Sequence, residues 1–505
     1  MDVFKELTTD TINPYIKTLI FDILQVNKRN KFNNARLAIA GYLALGEYRN
    51  SLIEKRDLHR ALHLVVIFKT KPAYKTINDK QRMTTIDNAN DKGKSGEDFV
   101  NQIAFSSFLK HWCFPGPLDI IGDNKEICDL LVVFDHVCMI VSVKNYSFKG
   151  DYERYFKKTI EKAIRQIDGA ERKLFRDKAL LLKHPDRDAE LFEKENIKEI
   201  YRIIINLNGD VKYYQTSHFK DGKNYTIMDA TAWYTSMEEL NTLPDVTAYL
   251  TARCKLFNKY PAFVFPRSEY DISTNDKISA QAEIETASAD GKITLVLGSE
   301  LDLIAQYILN AFKFPENLNH NEVNGLLLKL DGQWDKFLKS KISTQKDEYE
   351  KESYFIDRLV KQFLIHTENG NHLTGMFFRL NRLERAEFAR AFLNYHEGYA
   401  MGDINIKLNR SHFVLPFINM VFIYHDDDYP REQLTEIVNM SLHHHHYLNN
   451  FKCKEVGALG MSRTTGDFTF GYSKLIEPYT QEEINEMKES FRSLGWQIEQ
   501  LTIRN

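Results

Sequence analysis

EICDLLVVFDHVCMIVSVKN, residues 126–145, decides how the middle of this chain folds. It holds two apolar runs, ICDLLVVF (127–134) and VCMIVSV (137–143), separated by Asp135-His136. Runs of this length and composition predict strands, and a two-residue spacer predicts a tight hairpin. Residues facing each other across such a turn have numbers that sum to 271, which sets Asp129 opposite Ser142. Side chains alternate with period two, so Lys144 emerges on the same face as Ser142. An acid and a lysine therefore meet at one end of a hairpin that is apolar on both faces, as in a sheet covered on two sides. A charge in that setting needs a partner or a metal, because burying it alone is costly.

The flanks extend the pattern. Upstream, the spacing predicts a helix over about 96–111 with Glu97, Val100, Ala104 and Phe108 on one stripe, so that Glu97 goes with the core face and Asp98 away from it. Downstream come a long charged helix over roughly 151–180 and a buried strand, IYRIIINL (200–207). TSMEELNTLPDVTAYLTARCKLF (235–257) predicts two short helices broken near Pro244. Helix, strand, strand, helix, strand is an α/β order with a mixed central sheet.

GEDFVNQIAF (96–105), the hairpin, and AIRQIDGAERKLF (163–175) together resemble the nuclease core of the PD-(D/E)XK superfamily, the fold of many restriction and repair endonucleases. The resemblance covers about 96–260, a third of the chain. It implies a restriction-endonuclease-like core in which Glu97 and Asp129 hold Mg²⁺ or Mn²⁺, the Val143 carbonyl adds a ligand, and Lys144 orients water. Gln166 resembles the glutamine that several branches carry in the helix after the lysine. The implied reaction is metal-dependent endonucleolytic hydrolysis of phosphodiester bonds, with the metal polarising the phosphate and acidifying bound water.

This chain departs from the family at Ser142, which stands where a second carboxylate is expected. A hydroxyl is a poor substitute on Mg²⁺, which prefers charged oxygen ligands. Some restriction enzymes with serine here recruit a glutamate from the following helix, for which Glu153 is favoured over the more solvent-facing Glu161. The bland reading is a buried Asp–Lys ion pair that only ties the hairpin.

Charge placement bears on the partner. Between Lys144 and Lys183 there are twelve Lys/Arg against six acids, in a chain of net charge −3. Lys149, Lys157, Lys158, Lys162 and Arg165 are the residues expected to meet a phosphate backbone, DNA above all. The competing reading is the solvated face of an amphipathic helix.

The remaining sequence sets the frame. With 505 residues, 43% hydrophobic and 27% charged, the chain predicts two or three soluble globular domains. The expected division is a helical N-terminal region and linker (1–90), the nuclease-like domain (91–265), a mainly helical region (266–400), and a small βαββα domain (401–505). The fold class is thus α/β locally and α+β overall. Five cysteines without a CxxC pair, no signal-peptide core in Met1–Leu24, and no long apolar run predict a cytoplasmic protein without a membrane span. The C-terminal region is expected to bind a partner protein, recognise a target or pair with a second copy. Large nucleases with unfamiliar flanks suggest, by analogy alone, defence against phage or plasmids. A catalytically weakened nucleic-acid-binding subunit is the alternative.

Weaker motifs add little. His443–His446 lie inside a predicted helix and are expected on an exposed polar face, since no further zinc ligands are spaced for them. His59 and His63 lack the glutamate of a metalloprotease motif, with Arg60 in its place. Gly93-Lys94-Ser95 lacks the strand and earlier glycine of a phosphate-binding loop. Asp426-Asp427-Asp428 predicts a turn before a helix.

Overall fold

Three larger sheets, each mixed in strand direction, and one two-stranded antiparallel ribbon order the described residues. The structure is a computed structural model describing residues 89–496, apart from 109, 147–151, 186–188, 209–213, 265–293, 315–320, 324–326, 366–369, 403–405, 416–417 and 464. The predicted helical N-terminal region up to residue 88, with His59 and His63, and residues 266–290 of the region expected to be mainly helical lie outside the described residues. Two compact units are present: Asn78–Glu348 with Phe378–Arg382, and Tyr349–Phe377 with the chain from Leu383 onward.

In the first unit, α1 (Ala89–Phe108) leads into the short β1 (Cys113–Pro115), then β2 (Leu130–Phe134) and β3 (Val137–Lys144). The helix α2 (Tyr152–Leu174) crosses over to β4 (Glu199–Asn206). After β5 (Tyr214–Gln215), a hairpin of β6 (Ser217–Lys220) and β7 (Lys223–Asp229) completes a six-stranded sheet in the order β1-β2-β3-β4-β7-β6. β1, β2 and β3 are antiparallel, whereas β3–β4 and β4–β7 are parallel. Every residue of β3 is buried, so alternation cannot set its register. The turn does: Leu130 pairs with Val141 and Phe134 with Val137, the expected sum, with Asp135 left-handed at φ 53°.

The amphipathic α2 explains its own placement. Ile160, Ala163, Ile164, Ile167, Ala170 and Leu174 are buried against the sheet, while Arg154, Lys157, Lys158, Lys162 and Arg165 are exposed. Two of its acids face the sheet instead of solvent. Glu171 takes a bidentate pair from Arg202 of β4 at 2.7 and 2.8 Å and is joined by Lys223 at 3.2 Å, while Asp168 accepts from Tyr225. Neutralising these two acids from outside the helix leaves its outer face more basic than a count along the chain suggests.

The two helices around Pro244 are α3 (Ala230–Leu240) and α4 (Leu243–Lys259), with Pro244 in the first turn of the second and Thr242 as its N-cap. Proline is tolerated there because that N–H has no intrahelical acceptor. The region expected to be mainly helical begins differently. β8 (Ala262–Val264) pairs in parallel with β9 (Thr294–Leu297), and β9 with β11 (Leu327–Leu330). β5 and β10 (Asn321–Val323) close the edges of this five-stranded sheet, so its strands lie on both sides of the expected boundary at 265/266. Four-residue apolar runs such as TLVL carry no period that separates a strand from a buried helix segment. Between them α5 (Glu300–Leu309) sends Glu300 to the fully buried Arg253 of α4 at 2.7 Å.

In the second unit, α6 (Lys341–Leu359), α7 (Gly370–Phe378) and α8 (Arg382–Ala400) precede a four-stranded sheet. The first strand of the expected βαββα order is instead a hairpin, β12 (Leu408–Leu415) and β13 (Ile418–His425). The break falls between Leu415 and Ile418, where the sequence carries Pro416, a residue type without the N–H that a ladder needs. α9 (Arg431–Leu448), β14 (Glu455–Ser462), β15 (Phe468–Lys474) and α10 (Gln481–Ser493) follow, so the order is ββαββα. Val438 and Leu442 of α9 pack on Val421, Ile423, Val456 and Ala458, whereas Phe388 and Phe392 of α8 meet Phe422.

The histidine run departs from expectation. His444, His445 and His446 are buried, because β12 and β15 cover the last turns of α9 on one side and α10 on another. His444 meets the Phe491 ring and accepts from Arg410 at 2.8 Å, His445 pairs with His412 at 2.9 Å, and His446 bonds Ser473 at 3.2 Å. His443 reaches Tyr479 at 2.9 Å.

All five cysteines are free thiols. Among the described residues no helix is long and apolar enough to cross a membrane.

Candidate functional site

Asp129 sits one residue before β2 and Lys144 closes β3, so the antiparallel register sets their side chains at the same end of the hairpin. The Asp129 carboxylate is held through a single oxygen. Oδ2 accepts from the Val143 N–H at 2.5 Å, from the Ser142 hydroxyl at 3.2 Å and from Lys144 Nζ at 3.4 Å. Among the described residues, all hydrogen bonds to this carboxylate fall on Oδ2, which leaves Oδ1 for another electrophile. Lys144 is buried and its ammonium also donates to the Val143 carbonyl at 2.8 Å. The carbonyl expected to meet a metal thus carries the lysine, and Ser142 serves to orient Asp129.

The start of α1 comes to the carboxyl end of β3 by close packing. Gly96 is buried, and a Cβ there would collide with the Leu207 side chain and stand 3.8 Å from the Asn145 amide. Leu207 follows β4 and donates its N–H to the Lys144 carbonyl at 2.8 Å. Glu97 is therefore half-buried where β3 and β4 end, Asp98 is exposed, and Val100 and Ala104 are buried beneath. Burial pushes the Glu97 carboxyl up, and the Asp129 and Glu126 charges push it further.

Glu126 was not singled out from the sequence. It lies at the edge of the site, paired by its backbone with Leu118 across the β1–β2 loop. A Cβ on Gly116 would stand 3.9 Å from its carboxyl, and the Gly116 N–H donates to the Asp129 carbonyl at 3.0 Å. Although the residue as a whole is exposed, partial burial raises its carboxyl pKa and Asp129 raises it further. Its only sequence signal is an acid three residues before Asp129, which is common in surface loops.

The other expected residues divide. Gln166 is exposed on α2, away from the buried face. Glu161 pairs with Arg165 at 3.7 Å on the solvent side. The Glu153 side chain and all of Lys149 lie outside the described residues. Lys94 and Ser95 are exposed within α1, which excludes a phosphate-binding loop there.

The donor set can be weighed against a metal. Among the described residues, no three His, Cys, Asp or Glu side chains converge closely enough to enclose an ion by themselves. The donors present are hard oxygens: Asp129 Oδ1, the Val143 carbonyl, and the Glu97 carboxylate nearby. Mg²⁺ is commonly held by only one or two carboxylates, with waters and substrate phosphate completing its shell. The chemistry of the set suits that ion and not zinc, which favours nitrogen and sulfur.

Comparison of the chain with family models, curated proteins and solved structures gives no match.

Proposed function

We propose that this protein is a Mg²⁺- or Mn²⁺-dependent nuclease acting on nucleic acid, DNA in the first instance, through Glu97, Asp129 and Lys144. The observation that carries the reading is the Asp129–Lys144 pair at the carboxyl end of β3, with Asp129 Oδ1 unengaged and Glu97 brought to the same end. The helix, antiparallel hairpin, helix, parallel strand sequence agrees with the restriction-endonuclease-like core that the resemblance implies.

In this reading Asp129 and Glu97 would hold the cation, with the Val143 carbonyl available to it only where Lys144 yields that oxygen. Once bound, the ion would acidify a water and polarise the phosphate. Ser142 and the Val143 N–H keep the Asp129 carboxylate from turning. Lys144, fixed between Asp129 and Val143, orients the attacking water and offsets negative charge as it develops on the phosphate. The exposed bases of α2 attract the backbone of the strand. Analogy alone extends the role to cytoplasmic defence against foreign DNA.

A second reading is favoured by one observation. The Lys144 ammonium occupies the Val143 carbonyl, and Ser142 supplies no carboxylate, as in a nuclease-derived module that binds without cutting. Supercoiled plasmid and single-stranded substrates with Mg²⁺ or Mn²⁺ separate the two. Cutting by the native protein that is lost in Asp129→Ala and Lys144→Ala upholds the enzyme, while binding without cutting upholds the module.

A further inference from the structure

Tyr146 leaves the sheet two residues beyond Lys144, on the carboxyl-end side where a substrate phosphate would lie. It is 45% exposed. Its carbonyl accepts from the Asn208 amide at 2.6 Å, which ties the backbone to the end of β4. Its hydroxyl meets Lys162 Nζ of α2 at 2.8 Å. The same ammonium lies 5.3 Å from the ring centroid. Taken together, the two distances put Lys162 Nζ beyond the hydroxyl rim of the ring and not over the middle of a face. Among the described residues no aromatic ring stacks on Tyr146.

A ring anchored at both ends, partly open to solvent and bonded to Lys162 of the helix that also exposes Lys157, Lys158 and Arg165, joins an aromatic surface to a basic track. We infer that Tyr146 is a positioning residue that stacks an unpaired nucleobase of the strand whose phosphate is presented to Lys144. This deepens the proposed nuclease reading and rests on it for the place of the phosphate. Stacking requires a free base face, which a base inside a duplex does not offer. The preferred substrate is then single-stranded, or carries unpaired nucleotides next to the cut.

The test is fluorescence anisotropy with the full chain in EDTA, using labelled oligodeoxythymidine, a duplex, and an abasic sugar-phosphate strand. Tyr146→Ala and Tyr146→Leu are expected to weaken oligodeoxythymidine binding about tenfold. Tyr146→Phe should bind as the native protein does, and affinities for duplex and abasic strand should not change. Equal binding of oligodeoxythymidine by Tyr146→Ala and native protein, or an equal loss on the abasic strand, overturns the inference. Cleavage with Mn²⁺, followed in parallel, keeps the two ideas apart. Native cutting with Tyr146→Ala binding unchanged removes the platform and keeps the nuclease. A base-dependent loss in a protein that cuts nothing keeps the platform and removes the nuclease.

Discussion

Lys144 Nζ lies 3.4 Å from Asp129 Oδ2 and 2.8 Å from the carbonyl of its own neighbour, Val143. The ammonium thus stands on the Val143 carbonyl, which a divalent cation would also seek, and on the carboxylate oxygen that faces away from the cation's proposed ligand Oδ1. Replacing it separates two roles. Lys144→Ala is expected to lower cleavage by at least about a hundredfold, the order that one lost electrostatic group costs. Its Mn²⁺ affinity by titration calorimetry should be no weaker than native. A variant that loses metal affinity together with cleavage would show that Lys144 builds the site instead of competing within it.

Ser142 is buried and spends its hydroxyl on Asp129 at 3.2 Å. Ser142→Asp sets two carboxylates side by side. Without metal they repel, so the variant should melt below the native protein in EDTA. With Mg²⁺ or Mn²⁺ it should regain stability steeply with ion concentration, because an ion bound only to the folded state shifts the equilibrium. Thermal melts across a metal titration read this directly. A melting temperature insensitive to the ion would count against a cation site here.

The Arg253–Glu300 pair is buried on both sides at 2.7 Å. Glu300→Ala leaves a guanidinium in the core without its partner and is expected to cost about 3–5 kcal/mol in chemical denaturation. Joint replacement of both residues by leucine removes the uncompensated charge, and a large part of the loss should return.

The histidines at the end of α9 predict an acid-sensitive second unit. Burial and neighbouring cationic groups hold His412 down to about 3 and His445 down to about 4, and burial also lowers His443 and His446. A depressed folded pKa means that the unfolded chain takes up protons first. Their stabilising effect is therefore complete above the ordinary value of 6.5 and is lost as pH falls towards 4 and then 3. Each buried neutral histidine steepens that loss by up to about 1.4 kcal/mol per pH unit. His445→Gln keeps a polar partner for His412 without titrating, and should flatten the denaturation-against-pH curve below pH 6.5.

The hairpin and its register are legible in the sequence. Two apolar runs around Asp135-His136 admit one pairing, and that pairing alone brings Asp129 to Ser142 and Lys144. The amphipathic α2 and the inward side of Glu97 were legible for the same reason, since local periodicity fixes which face a residue takes. Contacts set by distant segments were not legible. Nothing in the sequence shows that Leu207 brings Gly96 onto the end of β3, that Asn208 anchors Tyr146, or that Arg202 and Lys223 neutralise the acids of α2.

The histidine run and the five-stranded sheet mark the same limit. A helix pattern predicts which residues share a side, but β12 and α10 decide that the side with His444–His446 is covered. Short strands such as Thr294–Leu297 gain their identity only from the neighbours that pair with them. The sequence by itself determined the local geometry of the acid–lysine hairpin, because turn length and side-chain alternation act over a few residues. Tertiary structure alone decided which carboxylates and rings join that hairpin, because those neighbours come from segments whose meeting depends on the packing of the whole unit.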